Sequence, residues 1–444
     1  MKYGLIGYPL IHSFSKSLHN KLGNNDYELC ELKKEDLDKF MNDKNFYGIN
    51  VTIPYKQEVI KYLDHISDDA KNINAVNTIK NISGKLYGFN TDSLGFDAML
   101  KYYKIDVYDK NILILGTGAT SETVAYVLYK LKSKNIYKQN RAKEIYSCEF
   151  NKNTNKLELS KNRIDISTKN NLYQKIQIII NTTPNGMYPH MDDELIVNMD
   201  EFINLEAVAD VVYNPLRTKL LQKANNKKIK IASGLYMLVA QGFYANDIFF
   251  SEKNDVCDYK FKIENDNVTD LNNQLVEIYN EILNEKQNIV LIGMPSCGKS
   301  TIGKLLSSEL NKKYIDTDVE IEKIINMPIS DFINQQGEQK FREIEKQVVS
   351  DMSKYNGVVI STGGGVILDN ENVERLKYNG RLFFINRSIE NLKATDSRPL
   401  TSTLEKLKQI FDIRLPLYKK AADYEINGDL ELDDKLEIIK NILK

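Results

Sequence analysis

Residues 289–300 read Ile289-Val290-Leu291-Ile292-Gly293-Met294-Pro295-Ser296-Cys297-Gly298-Lys299-Ser300. The apolar run makes a buried strand, the glycine-bounded stretch a turn, and Thr301 to Leu310 a helix. A phosphate-binding loop needs this order. Its glycines let successive main-chain N–H groups face a triphosphate, and the helix N-terminus adds its positive end. Lys299 neutralises the outer phosphates and the Ser300 hydroxyl is placed to ligate Mg²⁺. Ser296, Cys297, Gly298 and Thr301 complete the wall of the loop; at Cys297 a small side chain suffices. The second half of the chain is expected to bind a nucleoside triphosphate.

Outward from that loop, the 444 residues predict two or three domains, and 42% apolar with 27% charged residues predicts sizeable cores. A formal net charge of -1 leaves no field to attract nucleic acid or anionic membrane, and no basic or aromatic cluster compensates. No apolar stretch is long enough to cross a bilayer. The start, Met1-Lys2-Tyr3-Gly4-Leu5-Ile6, reads as a buried strand and lacks a signal-peptide pattern. Cys30, Cys148, Cys257 and Cys297 lie far apart without paired spacing. That argues against disulfides and zinc and for a cytoplasmic home. Small molecules are the expected partners, with neither nucleic acid nor membrane.

Strand-like runs alternate with helix-length segments through most of the chain, the pattern of α/β domains with parallel sheets. A second strand, Ile112-Leu113-Ile114-Leu115, also enters a glycine turn, Gly116-Thr117-Gly118-Ala119-Thr120. This turn is of the dinucleotide-binding kind, with pyrophosphate expected at the following helix N-terminus. The next strand ends at Asn140-Arg141, near the offset of about 20 residues at which the ribose is read. An acid there would accept from a 2′-hydroxyl. An arginine with no acid beside it favours a 2′-phosphate, hence NADP. Residues 251–268 are polar and aperiodic, whereas Leu271, Leu275, Ile278, Tyr279 and Ile282 recur at helical spacing, with a short linker expected near Asn284 to Gln287.

Four upstream segments are dense in small polar groups: His12-Ser13-Phe14-Ser15, Asn50-Val51-Thr52-Ile53-Pro54-Tyr55-Lys56, Ala75-Val76-Asn77-Thr78 and Gly88-Phe89-Asn90-Thr91-Asp92. Each suits a cap or turn; together they suit a pocket for a small polyhydroxylated molecule. Later come Asn181-Thr182-Thr183-Pro184-Asn185-Gly186-Met187, Asp210-Val211-Val212-Tyr213-Asn214-Pro215 and Gly234-Leu235-Tyr236-Met237-Leu238-Val239-Ala240-Gln241. Through these motifs the stretch from Met1 to about Phe250 resembles shikimate dehydrogenase, which reduces the ring ketone of 3-dehydroshikimate with NADPH. The resemblance implies that Ser13 and Ser15 bind the carboxylate and that Asn50, Thr52, Asn77, Tyr213 and Gln241 line the rest of the site. Lys56 and Asp92 would be the catalytic pair, Asp92 also touching substrate. It assigns Gly116, Thr117, Gly118, Ala119 and Thr120, then Asn140 and Arg141, to the cofactor. Thr182, Val211, Gly234 and Met237 would join them. The chemistry agrees, because hydride arriving at a ketone leaves an alkoxide that needs a proton donor and a nearby positive charge. Three positions depart from the family pattern: Lys16 replaces a proline, Ala119-Thr120 replaces Gly-Ala, and Ile145 replaces a second basic residue, with Lys143 nearby.

Beyond the phosphate loop lie Asp316-Thr317-Asp318, Phe341-Arg342-Glu343-Ile344-Glu345, Ser361-Thr362-Gly363-Gly364-Gly365, Ser397-Arg398-Pro399-Leu400 and Arg414-Leu415-Pro416-Leu417-Tyr418. Two acids after a strand suit Mg²⁺ and a substrate hydroxyl, a triple glycine allows close main-chain approach, and the arginines suit carboxylate and phosphate. Residues 288–444 resemble shikimate kinase. The resemblance implies that Ser300 and Asp316 serve Mg²⁺ and that Asp318 binds the hydroxyls and acts as base. Arg342, Gly364, Gly365 and Arg414 would bind substrate, and Arg398 would come from a lid to the ATP phosphates. The segment from Glu390 to Arg398 is shorter than the family's, its leading arginine is missing with Lys393 nearby, and no arginine stands at the adenine-facing position near the C-terminus.

The expected fold class is therefore α/β, with a substrate domain at 1–95 plus about 235–285, a Rossmann NADP domain at 96–234, and a P-loop kinase domain with a parallel sheet at 288–444. The kinase part is expected to be monomeric. The two activities are consecutive on the route to chorismate and the aromatic amino acids, since the ketone reduced first becomes the hydroxyl phosphorylated next. Two other readings fit the residues: an NAD-dependent quinate/shikimate dehydrogenase in the first half, or one half acting as a weak docking module.

Overall fold

The computed structural model of the protein describes residues 1–10, 14–151, 154, 156–164, 171–251, 269–392 and 404–443. The chain divides into two compact units, Met1–Tyr213 with Lys223–Tyr279, and Asn214–Gln222 with Asn280–Lys444.

The first unit is built on two sheets. One comprises β1 (Tyr3–Gly7), β2 (Tyr27–Glu31), β3 (Gly48–Val51), β4 (His65–Ile66), β5 (Thr78–Ile82) and β6 (Lys85–Phe89), in the order β2-β1-β3-β5-β6-β4. The opening residues thus form the buried strand expected of them. The sheet is mixed rather than parallel, because β5 runs against both β3 and β6. Ser83 and Gly84 both take positive φ (52° and 83°), the tight turn that sends a strand straight back. A parallel return would need a crossover of a dozen or more residues, which the chain lacks here.

The other sheet holds β7 (Asn111–Leu115), β8 (Asn135–Gln139), β9 (Ile145–Asn151), β10 (Lys156–Arg163), β11 (Ile178–Asn181), β12 (Ala207–Asp210) and β13 (Lys230–Ser233), ordered β10-β9-β8-β7-β11-β12-β13. Strands β8, β7, β11, β12 and β13 are parallel, and the order reverses between β7 and β11, where doubly wound sheets take their ligands. Strands β9 and β10 form an antiparallel hairpin on its edge. The turn that closes β8 onto β9 is tight, with the Asn140 N–H on the Glu144 carbonyl at 2.9 Å and Lys143 at φ 61°.

The second unit has an all-parallel sheet of β14 (Asn288–Ile292), β15 (Lys313–Asp316), β16 (Val358–Ser361), β17 (Gly380–Asn386) and β18 (Tyr424–Asn427), ordered β15-β16-β14-β17-β18. Strand β14 is central and every residue in it is buried, which explains its unbroken apolar run. The linker expected near Asn284 to Gln287 is instead the end of a helix, Thr269–Lys286, with the Gln287 N–H still on the Leu283 carbonyl at 2.7 Å. Polar composition marked those residues as a connection, but Ile282 is buried and keeps the last turn helical.

Candidate active sites

In the first unit, the register pairs Asn50 with Thr78 and Thr78 with Phe89, so three of the polar segments converge at one end of the sheet. Asp92 lies in the first turn of the helix Thr91–Tyr102, which Asn90 caps by accepting from the Ser93 N–H at 3.1 Å. That helix end favours a carboxylate. Lys56 Nζ donates to Asp92 Oδ2 at 2.6 Å, with the two side chains only 16% and 12% exposed. The pair lies close to water without being fully solvated, as an acid–base couple must.

Around the pair, the amides are held in fixed orientations. The main-chain carbonyl of Asn77 can only accept, so Asn50 must turn its Nδ2 towards it (3.3 Å) and towards Thr78 Oγ1 (3.0 Å). Asn50 Oδ1 then faces the Tyr27 hydroxyl, which donates to it at 2.8 Å. Asn77 is fixed the same way, because the Thr91 N–H can only donate and lies 2.7 Å from Asn77 Oδ1. Its Nδ2 donates to Thr91 Oγ1 at 3.0 Å, leaving one N–H for a ligand. Asn50 keeps acceptor capacity and Asn77 keeps a donor, so the two read opposite ends of hydroxyl groups. Beneath them His19 stacks on Tyr27 (centroids 3.8 Å apart, 7° between planes), and burial pushes its pKa down to about 4.

The remaining expected residues are described with one exception. Ser15 opens the helix Ser15–Lys21 and is buried. Thr52 follows β3, its N–H on the Ile6 carbonyl at 3.0 Å. Tyr213 packs its ring against Phe14 at 5.3 Å, and burial raises its phenol pKa. Gln241 lies on the helix Gly234–Phe250, which approaches the Asp92 helix closely: a Cβ at Gly95 would meet the Met237 carbonyl oxygen at 2.6 Å. Ser13 lies outside the described residues.

At the switch point, Gly116 has φ +117°, and a Cβ there would meet Thr182 Oγ1 at 2.6 Å. A Cβ at Gly118, the N-cap of the helix Ala119–Lys130, would meet nothing within 4 Å. Thr117 and Gly118 are exposed, and Ala119 and Thr120 begin the helix, so its N-terminus is open to a ligand. Across the crevice a side chain at Gly234 would fall on the Val211 carbonyl, and Met237 is buried one turn further along. Asn140 and Arg141 follow β8 as expected. Arg141 is exposed and has no ion pair or hydrogen bond among the described residues. The same turn also holds an acid, Glu144. Glu144 accepts from Asn140 Nδ2 (2.8 Å), Tyr146 (3.1 Å) and Arg163 (2.9 Å), and these bonds, Asn140's foremost, hold its pKa below the ordinary carboxylate value. Ile145 is buried and Lys143 exposed.

In the second unit, the phosphate loop joins β14 to the helix Lys299–Glu309, capped by Gly298 at φ +98°. Helix formation therefore begins two residues before Thr301, since glycine in the left-handed region closes the loop early. Lys299 Nζ reaches back to the carbonyls of Gly293 and Met294, both at 2.9 Å, and lies 3.7 Å from Cys297 Sγ. Ser300 Oγ donates to Asp316 Oδ2 at 2.9 Å, while Asp316 Oδ1 accepts from the Asp318 N–H at 3.1 Å.

These groups line a cavity of about 610 Å³, with Ser296, Thr301, Asp318, Arg342 and Arg414 also on its wall. The triple glycine keeps the main chain close against its neighbours. A Cβ at Gly363 would crowd the Asp318 carboxylate, one at Gly364 would meet Pro295 Cδ at 2.8 Å, and one at Gly365 would fall on the Arg342 guanidinium. Arg342 bridges Glu345 and Glu338, both at 2.8 Å, and Arg414 donates to the Gly364 carbonyl at 3.1 Å. Arg398 and Lys393 lie outside the described residues.

Tyr27 carries no spacing signal in the sequence, and Thr78 and Thr91, though within the polar segments, are not marked there as the groups that orient Asn50 and Asn77. Glu345 lies one turn from Arg342 on the helix Glu338–Met352 and has no assigned role in the sequence reading. It is 1% exposed, its Oε1 has no hydrogen-bond partner among the described residues, and burial, partly offset by Arg342, raises its pKa. Its i,i+3 spacing from Arg342 is the signal that marks it.

Residues 295–444 match the family model "Shikimate kinase" and residues 5–79 match "Shikimate dehydrogenase substrate binding domain". The chain is 39% identical over 256 residues to the shikimate dehydrogenase (NADP(+)) of Clostridium beijerinckii, spanning 56% of this chain and 91% of the relative. Among solved structures, shikimate dehydrogenase 1 from Peptoclostridium difficile aligns at 32% identity and TM-score 0.49, over 64% of this chain and 98% of its own. A shikimate kinase from Acinetobacter baumannii, solved with shikimate, aligns at 30% identity and TM-score 0.35, over 37% of this chain and 97% of its own.

Proposed function

The chain belongs to the shikimate dehydrogenase family and carries a shikimate kinase domain after it, and we propose that it makes shikimate 3-phosphate from 3-dehydroshikimate in two steps. The first reduces the ring ketone with NADPH; the second phosphorylates the product with ATP and Mg²⁺. The observation that carries this reading is that one chain holds both the Lys56–Asp92 couple and the Ser300–Asp316 couple.

NADPH, when bound, supplies the hydride. The open helix end after Gly118 fits a pyrophosphate and exposed Arg141 fits a 2′-phosphate. Lys56 stabilises the developing alkoxide and delivers a proton to that oxygen, while Asp92 holds the ammonium in place. Asn50 accepts from a ring hydroxyl and Asn77 donates to one. Ser13 and Ser15 take the carboxylate, with Thr52, Tyr213 and Gln241 enclosing the ring.

In the kinase site, Ser300 and Asp316 are hard oxygen donors that fit Mg²⁺, which when bound neutralises the triphosphate. Asp318 orients the attacking hydroxyl and takes its proton, and Arg342 and Arg414 hold the carboxylate. Glu345 contributes its uncommitted oxygen to the same ring. Arg398 contributes charge to the phosphates. The division into domains at 1–95 with 235–285, 96–234 and 288–444 belongs to this proposal, as does a cytoplasmic location. Among the described residues no helix is long and apolar enough to cross a membrane.

The test supplies purified protein with 3-dehydroshikimate, NADPH and Mg-ATP and follows products by mass spectrometry. Shikimate 3-phosphate appearing only when both NADPH and ATP are present is the expected result. NADPH oxidation without phosphorylated product would remove the kinase half of the reading, and no NADPH oxidation would remove the first half.

A further inference from the structure

A 2′-phosphate carries between one and two negative charges near neutral pH, and a single guanidinium such as Arg141 balances only part of that. The loop that presents Arg141 is the tight turn Asn140–Glu144. Within it Lys143 is exposed, and the residue after the turn, Ile145, is apolar and 2% exposed. A further guanidinium comes from a distant position in the chain. Strand β10 pairs antiparallel with β9 and sets Arg163 opposite Tyr146, with the Ile164 N–H on the Ile145 carbonyl at 2.9 Å. The Arg163 side chain then reaches Glu144 Oε1 at 2.9 Å. Glu144 is itself pinned by Asn140 Nδ2 at 2.8 Å and the Tyr146 hydroxyl at 3.1 Å. The hairpin therefore ties a guanidinium to the very turn that carries Arg141.

We propose that Arg163 is a specificity-determining residue for the cofactor: it provides a second guanidinium for the 2′-phosphate and masks Glu144. This inference rests on the NADP reading above. Two effects act in the same direction. With Arg163 present, the turn offers three cations against one carboxylate, which suits a phosphate. Without it, Glu144 is an uncompensated acid beside Arg141, repelling a phosphate and accepting from a 2′-hydroxyl, the preference of NAD sites. Ion pairs this exposed contribute little to folding, so the consequence is on ligand choice and the fold is retained.

The test uses the full chain and measures KM for NADPH and for NADH, plus inhibition by adenosine 2′,5′-bisphosphate against adenosine 5′-monophosphate. Shikimate phosphorylation in the same preparations reports integrity of the protein. Arg163→Ala is expected to raise the NADPH KM about tenfold and weaken the bisphosphate to match, with NADH and the monophosphate changed less than about twofold. Arg163→Lys, which keeps the charge, should retain most of the selectivity. Adding Glu144→Gln to Arg163→Ala should recover part of it. An equal loss for both coenzymes, or an unchanged ratio, overturns the inference. A wild-type chain with no preference for NADPH overturns the NADP reading and this inference with it. A wild-type preference that survives Arg163→Ala overturns this inference alone.

Discussion

In the dehydrogenase site the amides of Asn50 and Asn77 already make most of their hydrogen bonds with Tyr27, Thr78 and Thr91. In the kinase site the charged groups hold one another: Lys299 sits on its own loop carbonyls, Arg342 on Glu338 and Glu345, and Ser300 on Asp316. The first site is a rigid template of neutral groups around one ion pair. The second is a set of engaged charges that an anionic ligand must win over. The contrast matches the two chemistries. Hydride transfer needs a ketone held at a fixed angle, whereas phosphoryl transfer needs cations available to a highly charged group.

The sharpest way to break this contrast is to remove the one ion pair of the template. Lys56→Ala should lower dehydrogenase turnover by about a thousandfold with the KM for 3-dehydroshikimate near wild type, and leave phosphorylation unchanged. A change confined to KM would make Lys56 a binding residue. Next, Gly365→Ala places a Cβ on the Arg342 guanidinium and must displace it. Kinase efficiency with shikimate should fall roughly a hundredfold while reduction is untouched. Wild-type phosphorylation kinetics would show that Arg342 is not needed where it stands.

The pH dependence of stability sharpens the comparison further. All four histidines, His12, His19, His65 and His190, precede the phosphate loop. Burial pushes His19 down to about 4 from an ordinary 6.5. The unfolded chain therefore takes up the proton first. Stability of the first unit should fall as pH drops from about 6.5 towards 4, by up to roughly 3 kcal/mol. Glu345 in the second unit is shifted the other way, mainly by burial. Its ionisation disfavours the fold, so that contribution is full below its ordinary pKa and is lost as pH rises. Urea midpoints for loss of each activity, measured across pH 4 to 7, should diverge on the acid side, with reduction failing first. Coincident midpoints, or an acid loss that persists in His19→Phe, would contradict the assignment. The smallest effect is expected from Tyr27→Phe, which deletes one buried hydrogen bond of about 1 kcal/mol. The KM for 3-dehydroshikimate should rise about fivefold while that for NADPH stays put. An unmoved KM would mean that Asn50 keeps its orientation without Tyr27.

Much of both sites was legible in the chain because their ligands impose spacing. A triphosphate requires Gly293, Gly298, Lys299 and Ser300 at fixed intervals, and a pyrophosphate requires Gly116 and Gly118 at a strand's end. The kinase sheet was legible for a related reason, since a parallel strand covered on both faces is a continuous apolar run such as Ile289–Ile292. The β5 reversal was not, because Ser83-Gly84 is a short polar pair between two segments read for their pocket residues. Nor was the helical end at Asn284–Lys286, where buried Ile282 overrode a polar composition.

Sequence alone determined which chemistry each half carries, because phosphate- and pyrophosphate-binding turns are specified by residue type and local interval. Only the tertiary structure decided how those groups are charged and oriented. Asn50 depends on a tyrosine 23 residues away and Glu144 on an arginine 19 residues away. Hydrogen bonds and ion pairs act through space over a few ångströms, and strand pairing, which no local pattern encodes, sets which partners come that close.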